Sequence, residues 1–167
     1  MIGRMQTKLY TDLQGDIRST DRGLLNLLKH ILLLMPFKFE TKEKFHVITV
    51  DEPELTASLS AELTVLANQT LTKDTGAGSV RNLILDMSPV ARIELPAAES
   101  LAELQASFYE SGASFVICCL QPAVEKTLEL ADLLDLMNIT PTESEAWDIV
   151  QMEEIERELL SGEEEQD

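Results

Sequence analysis

A chain of 167 residues has room for one hydrophobic core and a terminal extension, because single-core domains run to about 100–150 residues. Hydrophobic residues at 44% and charged residues at 26% exclude disorder throughout, and 5% aromatics leave Leu, Ile, Val and Ala to fill the core. A formal net charge of −17 repels phosphate backbones and anionic headgroups, which disfavours nucleic acid and membrane surfaces and favours a basic protein partner, although such acidity also serves solubility alone.

The first 35 residues hold five Lys or Arg against three Asp or Glu, a local balance of +2 that leaves −19 on residues 36–167. Residues 1–35 therefore read as an extension. Within it Leu24, Leu25, Leu27, Leu28, Ile31, Leu32 and Leu34 predict a short amphipathic helix with Thr20 or Asp21 as N-cap. This helix would dock on the domain or on a partner; alternatively Met35 is the native start and what precedes it is an upstream translation. The apolar stretch Leu24 to Met35 is interrupted by Asn26, Lys29 and His30 and is shorter than the ~20 residues a spanning helix needs. No small-residue cleavage site follows it in Met35-Pro36-Phe37-Lys38. Residence in the cytoplasm, with no direct membrane insertion, is expected by elimination.

From Phe37 the period is two. Phe37, Phe39 and Thr41 alternate with Lys38, Glu40 and Lys42, and Phe45 to Val50 follows after a turn, which predicts an opening hairpin. Asp51-Glu52-Pro53 is expected to start a helix with Pro53 near its first position and Leu55, Leu59, Glu62 or Leu63, and Leu66 at helical spacing. Thr75 to Ser79 ends that unit. Val80 to Met87 reads as a buried strand, Pro96 to Ser111 as a helix presenting Ala97, Leu101, Leu104 and Phe108, and Gly112 as its close. Phe115 to Leu120 is a near-continuous apolar strand, as where helices cover both sheet faces. Pro122 opens a helix with Val124, Leu128, Ala131 and Leu134, and Met137 to Thr140 forms a short edge strand. Thr142-Glu143-Ser144-Glu145 is a capping box for a last helix with stripe Ile149, Met152, Ile155 and Leu159. The domain thus spans 36–160, and the acidic tail 161–167 is expected to be disordered. The fold class is α/β, a mixed four- to five-stranded sheet with parallel central strands and about four helices.

Chemistry is sought at the strand-to-helix junctions, which hold Asp51-Glu52, Asp86-Met87-Ser88 and Leu120-Gln121-Pro122. Two acidic junctions are similar to a phosphoacceptor receiver domain, but the third lacks a Thr or Ser and no Lys follows to neutralise a phosphoryl group. The carboxylates read more simply as turn and helix N-terminal groups. Cys118 and Cys119 are adjacent, so alternation along a strand would point them to opposite faces as inert thiols. His30 and His46 have no ligand-spaced partner. No phosphate loop or nucleophile elbow occurs. No enzyme activity, metal or cofactor is expected.

At Leu83-Ile84-Leu85-Asp86-Met87-Ser88-Pro89-Val90-Ala91-Arg92-Ile93-Glu94 the sequence resembles the STAS signature, an apolar strand ending in Asp-x-Ser with an acid six residues on. The resemblance runs from about Phe37 to Leu160, and its N-terminal and C-terminal parts look similar to stand-alone bacterial anti-sigma factor antagonists, particularly those of the Bacteroidetes lineage. It implies the STAS fold and a protein partner, in that family a histidine-kinase-like anti-sigma factor. The family signature continues Asp-Ser-Ser-Gly-Leu, and the partner kinase phosphorylates a serine at that helix start, adding roughly −1.5 to −2 charge that weakens the contact. Here Glu94 is followed by Leu95, Pro96, Ala97 and Ala98, so no hydroxyl remains there. Pro96 is expected at the first helical position. The resemblance makes Asp86, Ser88, Glu94, Pro96, Ala97 and Ser100 candidate partner-binding residues. The Ser88 hydroxyl is expected to bond local backbone, and Ser100 is a candidate substitute phosphosite. Some similar domains instead serve transport or lipid-handling complexes or bind a small ligand.

Overall fold

The computed structural model describes residues 22–33, 35–72 and 79–164; Thr20, Asp21 and residues 73–78 lie outside it. In chain order the elements are α1 (Arg22–Leu33), β1 (Phe37–Thr41), β2 (Phe45–Val50), β3 (Glu54–Leu55), α2 (Ala57–Thr72), β4 (Asn82–Asp86) and β5 (Arg92–Ile93). Then come α3 (Leu95–Glu110), β6 (Phe115–Cys118), α4 (Pro122–Leu130), a 3₁₀ turn (Leu134–Leu136), β7 (Ile139–Thr140) and α5 (Glu143–Glu164).

Five strands form one mixed sheet in the order β1-β2-β4-β6-β7, with β1 antiparallel to β2 and every other pair parallel. This is the expected hairpin followed by βαβ crossovers, with β7 at the edge. Strand alternation divides the core. Ile48, Val50, Leu83, Leu85, Phe115 and Ile117 face the layer of α2, α3 and α4, whereas Val47, Ile84, Val116 and Cys118 face α5. Leu63 and Leu66 of α2 and Leu101, Leu104 and Phe108 of α3 are buried in the first layer, and Phe108 packs on Phe115 with ring centroids 5.3 Å apart. Gly112 ends α3 at φ 66°, so that the amides of Gly112 and Ala113 bond back to the carbonyls of Tyr109 and Phe108, a geometry that glycine adopts without strain.

Three expectations change. The segment after Pro53 is not the start of a helix: it forms β3, which pairs in parallel with β5 in a separate two-stranded sheet, and α2 begins at Ala57 behind Thr56. Of the expected inward face of α5, Ile149 packs half-buried against the sheet, but Met152, Ile155 and Leu159 do not. Ala146 and Val150 are buried, while Met152, Ile155 and Leu159 are 55–67% exposed. Past Val150 the sheet-facing side is polar: the Asn82 amide donates to Glu154 Oε1 at 2.7 Å and accepts from the buried Ser114 amide at 2.9 Å. Arg157 reaches the Ser114 hydroxyl at 3.1 Å, and Asn138 reaches Glu153 at 2.8 Å. Finally, α5 continues as helix to Glu164, well into the segment expected to be disordered. The expected helix of the extension is present as α1, with Leu24 and Leu27 exposed.

Candidate functional site

The signature occupies the carboxyl edge of β4 and the return to α3. Asp86 ends the strand, and its Oδ1 accepts from the Ser88 amide at 2.8 Å, while the Val90 amide donates to the Met87 carbonyl at 2.9 Å. These bonds fold residues 87–90 into a turn. Gln121, at the neighbouring β6–α4 junction, pins it by donating from Nε2 to the Ser88 carbonyl at 2.8 Å. Ser88 is exposed, and the bond that fixes the turn is donated by the Ser88 amide to the Asp86 carboxylate.

The chain then pairs with β3. Ala91 and Arg92 donate to the Pro53 carbonyl at 2.8 and 3.1 Å, and Glu94 donates to the Leu55 carbonyl at 3.0 Å. This pairing sets the starts of α2 and α3 side by side, and Glu94 serves both. Its backbone is the N-cap of α3, and its Oε2 accepts from the Ala57 amide at the first turn of α2 at 2.6 Å. A carboxylate there satisfies an orphan amide and lies at the positive end of the helix dipole. Thr56 adds a second cap, accepting from the Leu59 amide at 3.2 Å. Arg92 lies 3.2 Å from Glu54 across the two short strands.

Leu95 is the first residue of α3 and Pro96 the second, one position later than expected. The helix tolerates it because the amides of the first turn have no intrahelical acceptor in any case. Glu94, Leu95 and Pro96 are exposed, Leu95 at 52%. Ala97 and Ala98 are 0% exposed, packed in the main core. Ala97 therefore offers no side chain to a partner, and Ala97→Arg would disrupt packing rather than probe binding. Ser100 is half-buried and its hydroxyl donates to the Pro96 carbonyl at 2.9 Å. Beside this helix pair, Glu52, Glu54 and Glu62 line an open groove with Pro36 and Leu59.

Asp51 does not converge with Asp86 on a common ligand point; it pairs with Lys38 at 3.1 Å. The cysteines do converge with Asp86. Cys119 has φ 63°, which breaks strand alternation, and its thiol, the Cys118 thiol and the Asp86 carboxylate have ligand atoms all within 4.8 Å of one another. The expectation that the thiols face apart is thereby corrected. Burial pushes the Cys118 thiol well above the usual thiol range, with the Cys119 thiol and the charges of Asp86 and Glu143 acting in the same direction. Sequence reasoning misses Thr56 and assigns Gln121 no role. Gln121 had a signal in its place before Pro122 at the third strand-to-helix junction.

Among the described residues no helix is long and apolar enough to cross a membrane. No curated protein matches the sequence. Among solved structures, the chain is similar to an anti-sigma factor antagonist of Mycobacterium paratuberculosis, with a TM-score of 0.58 and 18% identity over 69% of this chain and 92% of that one. The anti-sigma factor antagonist SpoIIAA in its unphosphorylated form is similar at a TM-score of 0.54 and 17% identity, covering 69% and 96%. The murine anion transporter Slc26a9 contains a similar fold, at a TM-score of 0.54 and 17% identity, covering 77% of this chain and 24% of the transporter. The STAS domain family model matches residues 38–146, spanning the β1–β2 hairpin through the first turn of α5 and enclosing the whole signature. This chain belongs to the STAS domain family.

Proposed function

We propose that this STAS domain is a non-enzymatic, cytoplasmic protein-binding module of the anti-sigma factor antagonist type, which engages its partner without a phosphorylation switch at the usual site. The observation that carries the reading is the start of α3. Its N-cap residue Glu94 is held by the Leu55 carbonyl and its flanking turn is hydrogen-bonded, yet the exposed positions after it are Leu95 and Pro96, neither of which can accept a phosphoryl group. An exposed leucine beside a helix N-terminus supplies apolar contact area where a phosphoserine would supply repulsion. Glu52, Glu54 and Glu62 nearby favour a basic counterpart. Asp86 contributes by holding the turn, Ser88 and Glu94 by their place on the same edge of the domain, and Ser100 by stabilising the first turn of α3.

The test uses a purified histidine-kinase-like anti-sigma factor from the same organism, with ATP and magnesium. The intact chain should bind, gain no phosphate by intact mass, and keep its affinity after incubation. Leu95→Asp places a charge at the helix start without touching the core and should weaken binding at least tenfold, about 1.4 kcal/mol. Equal affinity of the two proteins moves the interface elsewhere, and a phosphate added at Ser88 or Ser100 reinstates a switch. A second reading, a STAS subunit of a transport complex, is favoured by the similarity to a segment of the murine transporter. It predicts that genes beside this one encode membrane transport components rather than a kinase-like regulator.

A further inference from the structure

Apart from Asp86 holding the turn, protein binding makes no use of the donor cluster at the carboxyl edge of the sheet. The β4–β6 register sets Asp86 opposite Cys118, and both follow residues of the α5 layer by two, Ile84 and Val116, so their side chains share that face. Cys119 would point to the other face by alternation. At φ 63° it turns back instead, and packs against the same layer as Cys118. A left-handed backbone is disfavoured for any residue with a Cβ and persists where its surroundings or its function require it.

We infer that Asp86, Cys118 and Cys119 form a binding site for a thiophilic divalent metal, zinc by its chemistry. Two sulfurs and one carboxylate oxygen are a donor set for zinc, whereas magnesium and calcium take oxygen alone. Around a tetrahedral zinc the donors lie roughly 3.5–3.8 Å apart. The three here are all within 4.8 Å of one another, so small side-chain rotations bring them onto one ion. The Asp86 carboxylate is already oriented, since the Ser88 amide holds its Oδ1 at 2.8 Å, as outer hydrogen bonds commonly orient metal-binding carboxylates. Cys118 is buried, while Asp86 and Cys119 are half-buried, so an ion enters from the sheet edge and retains an open fourth position there. The thiols lose their protons to solvent as the metal binds.

The full chain, stripped of metal and kept reduced by a non-thiol reductant, is titrated with cobalt(II). Thiolate-to-cobalt charge-transfer absorption should saturate at one equivalent and disappear when zinc is added, and zinc should raise the melting temperature. Asp86→Asn should weaken cobalt binding about tenfold or more. Cys119→Gly suits the left-handed backbone, so it should retain the circular dichroism of the fold while losing most of the absorption and the zinc-dependent melting shift. Absence of charge-transfer absorption at stoichiometric cobalt overturns the site, as does full absorption in Cys119→Gly. A native protein lighter by two hydrogens, restored by reductant yet still indifferent to cobalt, overturns it in favour of a disulfide between the neighbouring cysteines.

Discussion

Among the described residues, the layer that α2, α3 and α4 form with one face of the sheet holds 23 buried hydrophobic residues; the layer that α5 forms with the other holds six. The larger layer is defined by apolar volume, with Phe108 against Phe115 and Leu63, Leu66, Leu101 and Leu104 around them. The smaller layer packs Val47, Ile84, Val116 and Cys118 under α5, with Phe45 stacked on Trp147, and continues as a hydrogen-bonded network of Asn82, Ser114, Glu154 and Arg157. Stability should therefore depend on shape in the first layer and on satisfied polar groups in the second. The largest expected effect is in the first: Phe108→Ala should cost about 3–5 kcal/mol, read as a fall in the urea midpoint at unchanged slope.

In the second layer the corresponding position is polar. Asn82 is 5% exposed and accepts from the amide of Ser114, itself 1% exposed, while donating to Glu154 and to the Lys44 carbonyl. Asn82→Ala leaves that amide without its acceptor and should cost about 1–3 kcal/mol, a penalty that a cavity argument on so small a side chain would not anticipate. Equal urea midpoints for Asn82→Ala and wild type would break the comparison, because they would mean that α5 is held by the apolar packing of Ala146, Trp147, Ile149 and Val150.

These layers were unequally legible in the sequence. The strands Asn82 to Asp86 and Phe115 to Cys118 announce themselves by their apolar runs, Phe45 to Val50 by its place in a hairpin after the alternating Phe37 to Thr41, and the buried face of α3 by its helical spacing. The phase of α5 does not, because Glu153, Glu154 and Arg157 read as a solvated face until Asn82, 72 residues earlier than Glu154, is placed beneath them. For the same reason β3 was hidden behind the helix-start pattern of Pro53: the amides that pair with its carbonyls come from Ala91, Arg92 and Glu94. At the candidate site the Asp86–Ser88 turn and the hydroxyl-free helix start were both evident from residue identity. The burial of Ala97 and the return of the Cys119 thiol were not, since each depends on a backbone conformation or packing contact that pattern does not encode.

Glu94 joins the two helix starts of the larger layer by a single carboxylate, so its loss is felt at α2 rather than at its own helix. Glu94→Ala should cost about 1 kcal/mol, the usual value of a lost N-cap. Amide exchange should locate the effect, with faster exchange at Ala57 and its neighbours and little change along α3. Faster exchange confined to α3 would show instead that the Glu94 side chain serves its own helix.

The smallest effect is expected where the apolar pattern is strongest and the burial weakest. Met152, Ile155 and Leu159 recur at helical spacing on α5, yet they are 55–67% exposed, and the sheet side of the same turns is occupied by Glu153, Glu154 and Arg157. Little area leaves the surface when these side chains fold, so little stability depends on them. The double variant Met152→Lys, Leu159→Lys should stay within about 0.5 kcal/mol of wild type, as other exposed positions do. A loss above 2 kcal/mol would place that stripe against another surface and reverse the assignment of the two sides of α5. Two added cations on this acidic helix also ease the repulsion among its glutamates, so any departure should be toward greater stability, larger at low salt than at high.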